Sequence, residues 1–165
     1  YEYGNILPNE RLLGSLICLQ NKNDVEHLMT AMTGTPLVAG DLTKISPENT
    51  KLLKNMVENL NSLVKTSPLT EYQLLKYNAS GKRGSWDGFA RYAKNGRGII
   101  CIFRNDFSDQ VVNINLPDFP DGQFVLKDMV SNEQIITCPG EKLRSDLEIA
   151  WPAAGCRAVI IDKQD

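Results

Sequence analysis

The chain has 165 residues, 18 basic and 20 acidic side chains, a formal net charge of −2 and 42% hydrophobic residues. That length holds one domain or two very small ones, and it is enough to bury a core. The balanced charge, without a basic tract or an acidic tail, speaks against nucleic-acid partners, and no apolar run reaches membrane-spanning length.

In chain order, residues 8–19 predict a helix opened by Pro8. Leu12, Leu13, Leu16, Ile17 and Leu19 form its stripe, and Gly14 is its weak point. A second helix is expected over 23–32. Asn23 and Glu26 have capping-box spacing there, and Val25, Leu28, Met29 and Met32 share one apolar face. His27, the single histidine, falls on the polar side and reads as a surface residue.

The stretch Thr35-Pro-Leu-Val-Ala-Gly-Asp-Leu-Thr-Lys-Ile-Ser-Pro-Glu48 organises the rest of the chain. Its apolar run, residues 36–39, is too short for a helix and reads as a buried strand, broken by Gly40-Asp41. Ser46 can accept an orphan amide hydrogen bond, and Pro47 fits the first helical position, where no intrahelical donor is lost. A helix is therefore predicted from 47 to about 64, with Leu52, Leu53, Met56, Val57, Leu60, Leu63 and Val64 as its stripe. Lys51, Lys54, Asn55, Glu58 and Asn59 form its polar side.

Near 67–70 the character changes to short β-branched segments punctuated by Gly and Pro. Eight strands are expected, over 72–77, 89–92, 98–103, 111–116, 124–128, 134–137, 147–149 and 157–161. Turns are expected at Asn95-Gly96, Pro117-Asp118, Pro120-Asp-Gly122, Pro139-Gly140 and Ala154-Gly155. Val112, Ile114 and Leu116 alternate with Asn113 and Asn115, as a half-buried strand requires. Such a series reads as an antiparallel sandwich or small barrel. The polar stretch 78–85 reads as a loop without Walker spacing. It opens with the sequon Asn78-Ala-Ser80, which matters only in a glycosylating pathway.

Cys18, Cys101, Cys138 and Cys156 are scattered, so neither a metal site nor a bridge framework is expected, and no cofactor motif is present. Cys101 and Cys156 lie in apolar strands and read as buried thiols; a bridge between them would need those strands to pair. Among the acids, Asp41 stands out because it follows a buried strand at a junction into a helix. Polar groups at such strand ends often face a ligand, and the plainer reading is that the aspartate ties down its own turn. Asp87 beside Trp86 is the second candidate: an aromatic next to a carboxylate can face a sugar, while Asp87-Gly88 is equally a turn and Trp86 equally a core residue. No two acids form a defensible acid/base pair.

Several segments together resemble the C-terminal part of glycoside hydrolases of the alpha-galactosidase (melibiase) type. Met29-Thr-Ala-Met-Thr-Gly-Thr-Pro-Leu-Val-Ala-Gly-Asp-Leu42 is similar to that family's last passage into a barrel strand, and Ile45-Ser-Pro-Glu48 to the start of the final barrel helix. Trp86-Asp-Gly-Phe-Ala-Arg-Tyr92, Gly98-Ile-Ile-Cys-Ile-Phe-Arg-Asn105, Phe124-Val-Leu-Lys-Asp128 and the closing segment 147–160 are similar to strands of its C-terminal sandwich. The family's I-N-Q-D-P-L-G segment is missing, with Leu75-Lys-Tyr-Asn-Ala-Ser-Gly81 standing roughly in its place.

The resemblance implies an α+β chain: N-terminal helices with a short remnant barrel strand over 1–67, then an antiparallel β-sandwich of about eight strands over 70–165. It implies that the two catalytic aspartates lie on barrel strands outside this chain, so no residue here is catalytic. Asp41 and Gly40 would then sit at the rim of a sugar site or anchor its edge. The expected partners are carbohydrate, through a parent enzyme, and the absent part of the barrel; the stripe of the 47–64 helix, exposed in a truncated barrel, is expected either to pack onto the sandwich or to pair two copies as a homodimer. The compartment is left open, with a soluble secreted or periplasmic protein as the expectation. The start at Tyr1, without an initiator methionine, is compatible with a processed protein, a cut piece or an engineered one. The rivals are a carbohydrate-binding sandwich that stacks Trp86, Tyr92 or Trp151 on sugar rings, and an assembly domain without a ligand.

Overall fold

The computed structural model describes residues 13–18, 29, 32, 35–39, 41–76, 86–103, 111–150 and 156–164. The first two strands among the described residues are β1 (Leu13–Cys18) and β2 (Thr35–Ala39), paired in parallel with Cys18 opposite Ala39. The helix expected over 8–19 is therefore a strand across its second half. Periodicity cannot separate a short buried helix from a buried parallel strand, and Gly14 penalises the helix. A parallel pair needs a crossover of a dozen or more residues, and residues 19–34 supply it. Met29 is helical within that crossover.

Asp41 precedes a short 3-10 turn, Leu42–Lys44, and helix α1 (Pro47–Thr66) comes next. The Ser46 hydroxyl accepts from the Asn49 amide at 3.1 Å, with Pro47 in the first turn, so the helix begins as its sequence requires.

The eight expected strands all form. They are β3 (Glu71–Lys76), β4 (Asp87–Tyr92), β5 (Gly98–Phe103), β6 (Val111–Ile114), β7 (Gln123–Asp128), β8 (Gln134–Pro139), β9 (Leu147–Ala150) and β10 (Cys156–Lys163). Six make one sheet in the order β3-β4-β5-β10-β7-β8, antiparallel throughout, and β6 pairs antiparallel with β9. Pro139-Gly140 is not a plain turn: it ends β8 and starts a short helix, α2 (Gly140–Ser145). Six residues carry too little periodicity to reveal such a helix.

The strand β5 reads Gly-Ile-Ile-Cys-Ile-Phe, all buried, so both of its faces must be covered. Ile100 and Ile102 face a core shared with Tyr92, Phe124, Leu126, Val159 and Ile161 of the same sheet, Val112, Ile114, Leu147 and Ile149 of β6 and β9, and Leu143 of α2. Ile99, Cys101 and Phe103 face a second core with Phe89, Ala158 and Ile160, closed by Leu52, Met56 and Leu63 of α1 and by Met29 and Met32. The result is three layers: a helix, a six-stranded sheet, and a two-stranded sheet with α2.

Phe124 shows how closely the inner layer is fitted. Its ring lies 4.9 Å from Phe119, edge on. Gly96 stands beside it at φ 87°, where a Cβ would approach the ring to 2.6 Å. Glycine is needed there both for backbone conformation and for room.

Candidate functional site

The C-terminal ends of β1 and β2 lie side by side, since Cys18 and Ala39 are register partners. In sheets of parallel strands that edge is where ligands sit, because loops and the following helix converge there. Asp41 lies two residues beyond β2. Its carboxylate accepts from the Thr43 hydroxyl at 2.6 Å and the Thr43 amide at 3.1 Å, and Lys44 Nζ lies 3.3 Å away. The Thr43 hydroxyl, then its amide, then Lys44 hold the carboxyl below its ordinary value. Asp41 thus anchors its own turn, yet its side chain is still exposed. Gly40, the partner in that expectation, lies outside the described residues, as do His27, the loop 78–85, Trp151 and the Ala154-Gly155 turn.

Trp86 and Asp87 sit at the start of β4. Trp86 is 7% exposed and belongs to the core between the two sheets, and Tyr92 is 4% exposed in the same core. Neither presents a ring face for stacking on a sugar, which removes two of the three aromatics of the binding-module rival. Asp87 is half-buried.

The helix stripe is also mostly covered. Leu52, Met56 and Leu63 pack on the sheet, Leu53 and Leu60 are half-buried, and Val57 at 42% and Val64 at 48% are the exposed members. The stripe thus packs largely onto the sandwich, one of the two expectations for it.

Polar groups fix this helix in place, and the sequence did not reveal them. Asn55 and Asn59 donate to the carbonyls of Val130 and Met129 at 3.3 and 3.1 Å, and Asn59 also donates to Asn132 Oδ1 at 3.1 Å. Arg97 donates to Thr66 Oγ1 at 2.5 Å and pairs with Asp162 at 2.9 Å. The β7–β8 turn that receives Asn55 and Asn59 is itself tied by Asp128. That carboxylate accepts from the Val130 and Ser131 amides at 2.9 and 3.0 Å and pairs with Arg157 at 3.2 Å. Two asparagines four residues apart are the only trace in the sequence, and among lysines they read as a solvated face.

Beneath α1 the sheet carries a charge. Arg91 is buried, with its guanidinium carbon 5.7 Å from the ring centre of Tyr72, the residue opposite it on β3. Burial pushes the Tyr72 phenol up to about 12. Cys101, on the same face, is a free thiol whose ionisation burial strongly opposes. It stands opposite Ala158, not Cys156, and no Cys101–Cys156 bridge forms. Among the described residues no three His, Cys, Asp or Glu side chains gather to hold a metal ion, and no described helix is long and apolar enough to cross a membrane.

No family model matches the chain, and no curated protein matches it. Solved structures share its fold, among them the following two. One is a Bacillus halodurans C-125 protein named as a candidate alpha-N-acetylgalactosaminidase, with a TM-score of 0.60, 14% identity, and coverage of 87% of this chain and 33% of that one. The other is a GH27 β-L-arabinopyranosidase of Geobacillus stearothermophilus in complex with arabinose, with a TM-score of 0.56, 15% identity, and coverage of 84% and 30%. The chain is similar in fold to a part of each of these two proteins. It spans about a third of the length of these two proteins. The likeness extends to both sides of residues 67–70, since neither side alone makes up that share of the chain.

Proposed function

We propose that this chain is the C-terminal portion of a carbohydrate-active enzyme, a glycoside hydrolase similar to the alpha-galactosidase type, and that its sandwich supports a catalytic barrel without being catalytic itself. The observation that carries this reading is the core beneath α1. Leu52, Met56 and Leu63 of the helical segment and Phe89, Ile99, Phe103 and Ile160 of the sheet are buried against one another. A sandwich joined this way to the helix after a parallel strand can hold the end of a barrel by burying its apolar surface.

In this reading β1 and β2 are the closing strands of that barrel, and Asp41 with Gly40 borders the sugar site from the strand end. Asp87 is the second candidate contact, positioned by the buried ring of Trp86. Hydrolysis needs two placed carboxyl groups flanking the bond, and these would come from the barrel strands preceding Tyr1. No cofactor is required for that chemistry.

Two measurements test the proposal. The isolated chain, incubated with aryl α-galactosides and related glycosides, should release no aglycone above background; turnover at enzyme-like rates would overturn the non-catalytic assignment. The coding sequence upstream of Tyr1 should encode parallel βα units carrying two strand-end aspartates. An unrelated upstream domain would overturn the parentage.

A further inference from the structure

The β4–β5 hairpin carries the single Asn-Gly dipeptide of the chain, Asn95-Gly96. The Gly96 amide donates to the Ala93 carbonyl at 2.8 Å, and the Ala93 amide donates to the Arg97 carbonyl at 2.8 Å. With Gly96 at φ 87°, this is a tight turn followed by a left-handed glycine. Asn95 is exposed, but its side chain is held at both ends. Its Oδ1 accepts from the Arg97 amide at 3.1 Å, and its Nδ2 donates to Ser67 Oγ at 2.9 Å. Ser67 caps the C-terminus of α1, with its own amide donating to Leu63 O at 3.1 Å. The same hairpin grips the helix a second time through Arg97 and Thr66 Oγ1.

Asparagine is a thermally labile residue, and a following glycine makes it more so, because no side chain shields the next amide nitrogen. The reaction needs only water. The Gly96 nitrogen loses its proton to solvent base and attacks Asn95 Cγ. The bond to Nδ2 breaks, ammonia leaves, and a succinimide remains. Water then opens the ring to aspartate or isoaspartate. Here the three reacting groups are each engaged: the nucleophile's proton by Ala93 O, the amide oxygen by the Arg97 amide, and the leaving nitrogen by Ser67 Oγ.

We propose that Asn95 is a spontaneous deamidation site controlled by the docking of α1. While the last turn of α1 is seated, Ser67 and Arg97 hold the Asn95 amide away from the Gly96 nitrogen. When that turn opens locally, the ring can close. The product weakens the seating: a carboxylate has no N–H to give Ser67 and can accept its hydroxyl only if Ser67 gives up the bond it donates to the Thr66 carbonyl at 2.7 Å, and isoaspartate adds a main-chain methylene to the tight turn. The inference does not depend on the enzymatic parentage proposed above.

The test is peptide mapping by mass spectrometry at mildly alkaline pH, with aspartate and isoaspartate resolved chromatographically. The folded chain should convert Asn95 about tenfold or more slowly than the same chain unfolded in urea, because conversion must wait for local opening. Ser67→Ala should speed conversion in the folded chain several-fold and leave the unfolded rate unchanged. Ser46→Ala, which loosens the other end of α1, should leave the folded rate close to wild type. Asn95→Asp should raise hydrogen exchange in the last turn of α1 and not at the centre of β5. Equal rates in folded and unfolded chains would overturn the control by docking, as would a Ser67→Ala rate equal to wild type. An inert Asn95 in the unfolded chain would overturn the site itself.

Discussion

The two faces of the six-stranded sheet are closed by different means. Toward β6, β9 and α2 the contact is dry: Ile100, Ile102, Phe124, Leu126, Val159 and Ile161 meet Val112, Ile114, Leu147, Ile149 and Leu143. Toward α1 the apolar contact is interleaved with polar groups. Asn49 and Arg91 are buried there, and Asn55, Asn59, Thr66 and Ser67 bond to loops of the sandwich. Apolar packing stabilises many related registers almost equally, whereas hydrogen bonds with fixed partners single out one. The dry face therefore makes the sandwich, and the mixed face sets where the preceding segment sits on it.

The largest effect should come from the dry face. Phe124→Ala removes a fully buried ring from a pocket whose walls include the backbones of Gly96, Gly122 and Gly140. Glycine walls have no side chains to relax into the void, so the loss should approach the upper part of the range of about 3–5 kcal/mol for such a truncation. Urea denaturation would check it; a loss under about 1.5 kcal/mol would mean that the pocket collapses easily.

Met56→Ala applies the same operation to the other face. Met56 is 2% exposed beneath α1, and the cost should be about 2–3 kcal/mol, near the low end of the range, because flexible Met29 and Met32 in the same cluster can shift to fill space. The comparison sharpens if hydrogen exchange is followed as well. Met56→Ala should release the α1 amides well before those of β5, whereas Phe124→Ala should lower both together.

The dry face was legible in the sequence and the mixed face was not, for a physical reason. Strands of the sandwich announce themselves by alternation, as in Val112, Ile114 and Leu116 against Asn113 and Asn115, and by the Gly and Pro turns between them. The α1 stripe was equally legible, down to the Ser46 cap. The surface it covers was not: an amphipathic face states that it is buried but not against which partner. Asn55 and Asn59 looked like solvated positions because their acceptors, the carbonyls of Val130 and Met129, lie 75 and 70 residues away. The strand β1 failed for a different reason, since a six-residue apolar run lacks the length to separate two periods. Trp86 read as a candidate ligand contact because sequence shows its neighbour Asp87 and not the core that covers its ring.

A smaller effect isolates the polar part of the seam. Asn59→Ala removes two hydrogen bonds, to Met129 O and Asn132 Oδ1, and should cost about 1–3 kcal/mol, at roughly 0.5–1.5 kcal/mol for each bond. Asn59→Asp is the sharper variant. It keeps the volume but replaces a donor facing a carbonyl oxygen with a second acceptor, so it should cost more than Asn59→Ala. If the two cost the same, the carbonyl is satisfied elsewhere and the asparagine does not set the register of α1.

The smallest expected effect falls on Asp41, where the anchoring and ligand-facing roles can be separated. Its carboxyl is held below its ordinary value of 3.8 chiefly by the Thr43 hydroxyl. A lowered folded-state value means that the charged form contributes stability above about pH 3.8, lost as pH falls through the folded value. Because the group is exposed, that contribution is confined to the 3-10 turn and should not move the denaturation midpoint of the chain at neutral pH. Asp41→Asn keeps an oxygen for Thr43 and removes the charge. In the chain by itself it should change only the exchange of the Thr43 amide. In the parent enzyme, a carboxylate that also touches the sugar would raise KM on the same substitution without lowering the thermal midpoint. An anchor alone would leave both unchanged, so an unaltered KM would remove Asp41 from the rim of the sugar site while leaving the docking of α1 on the sandwich as it stands.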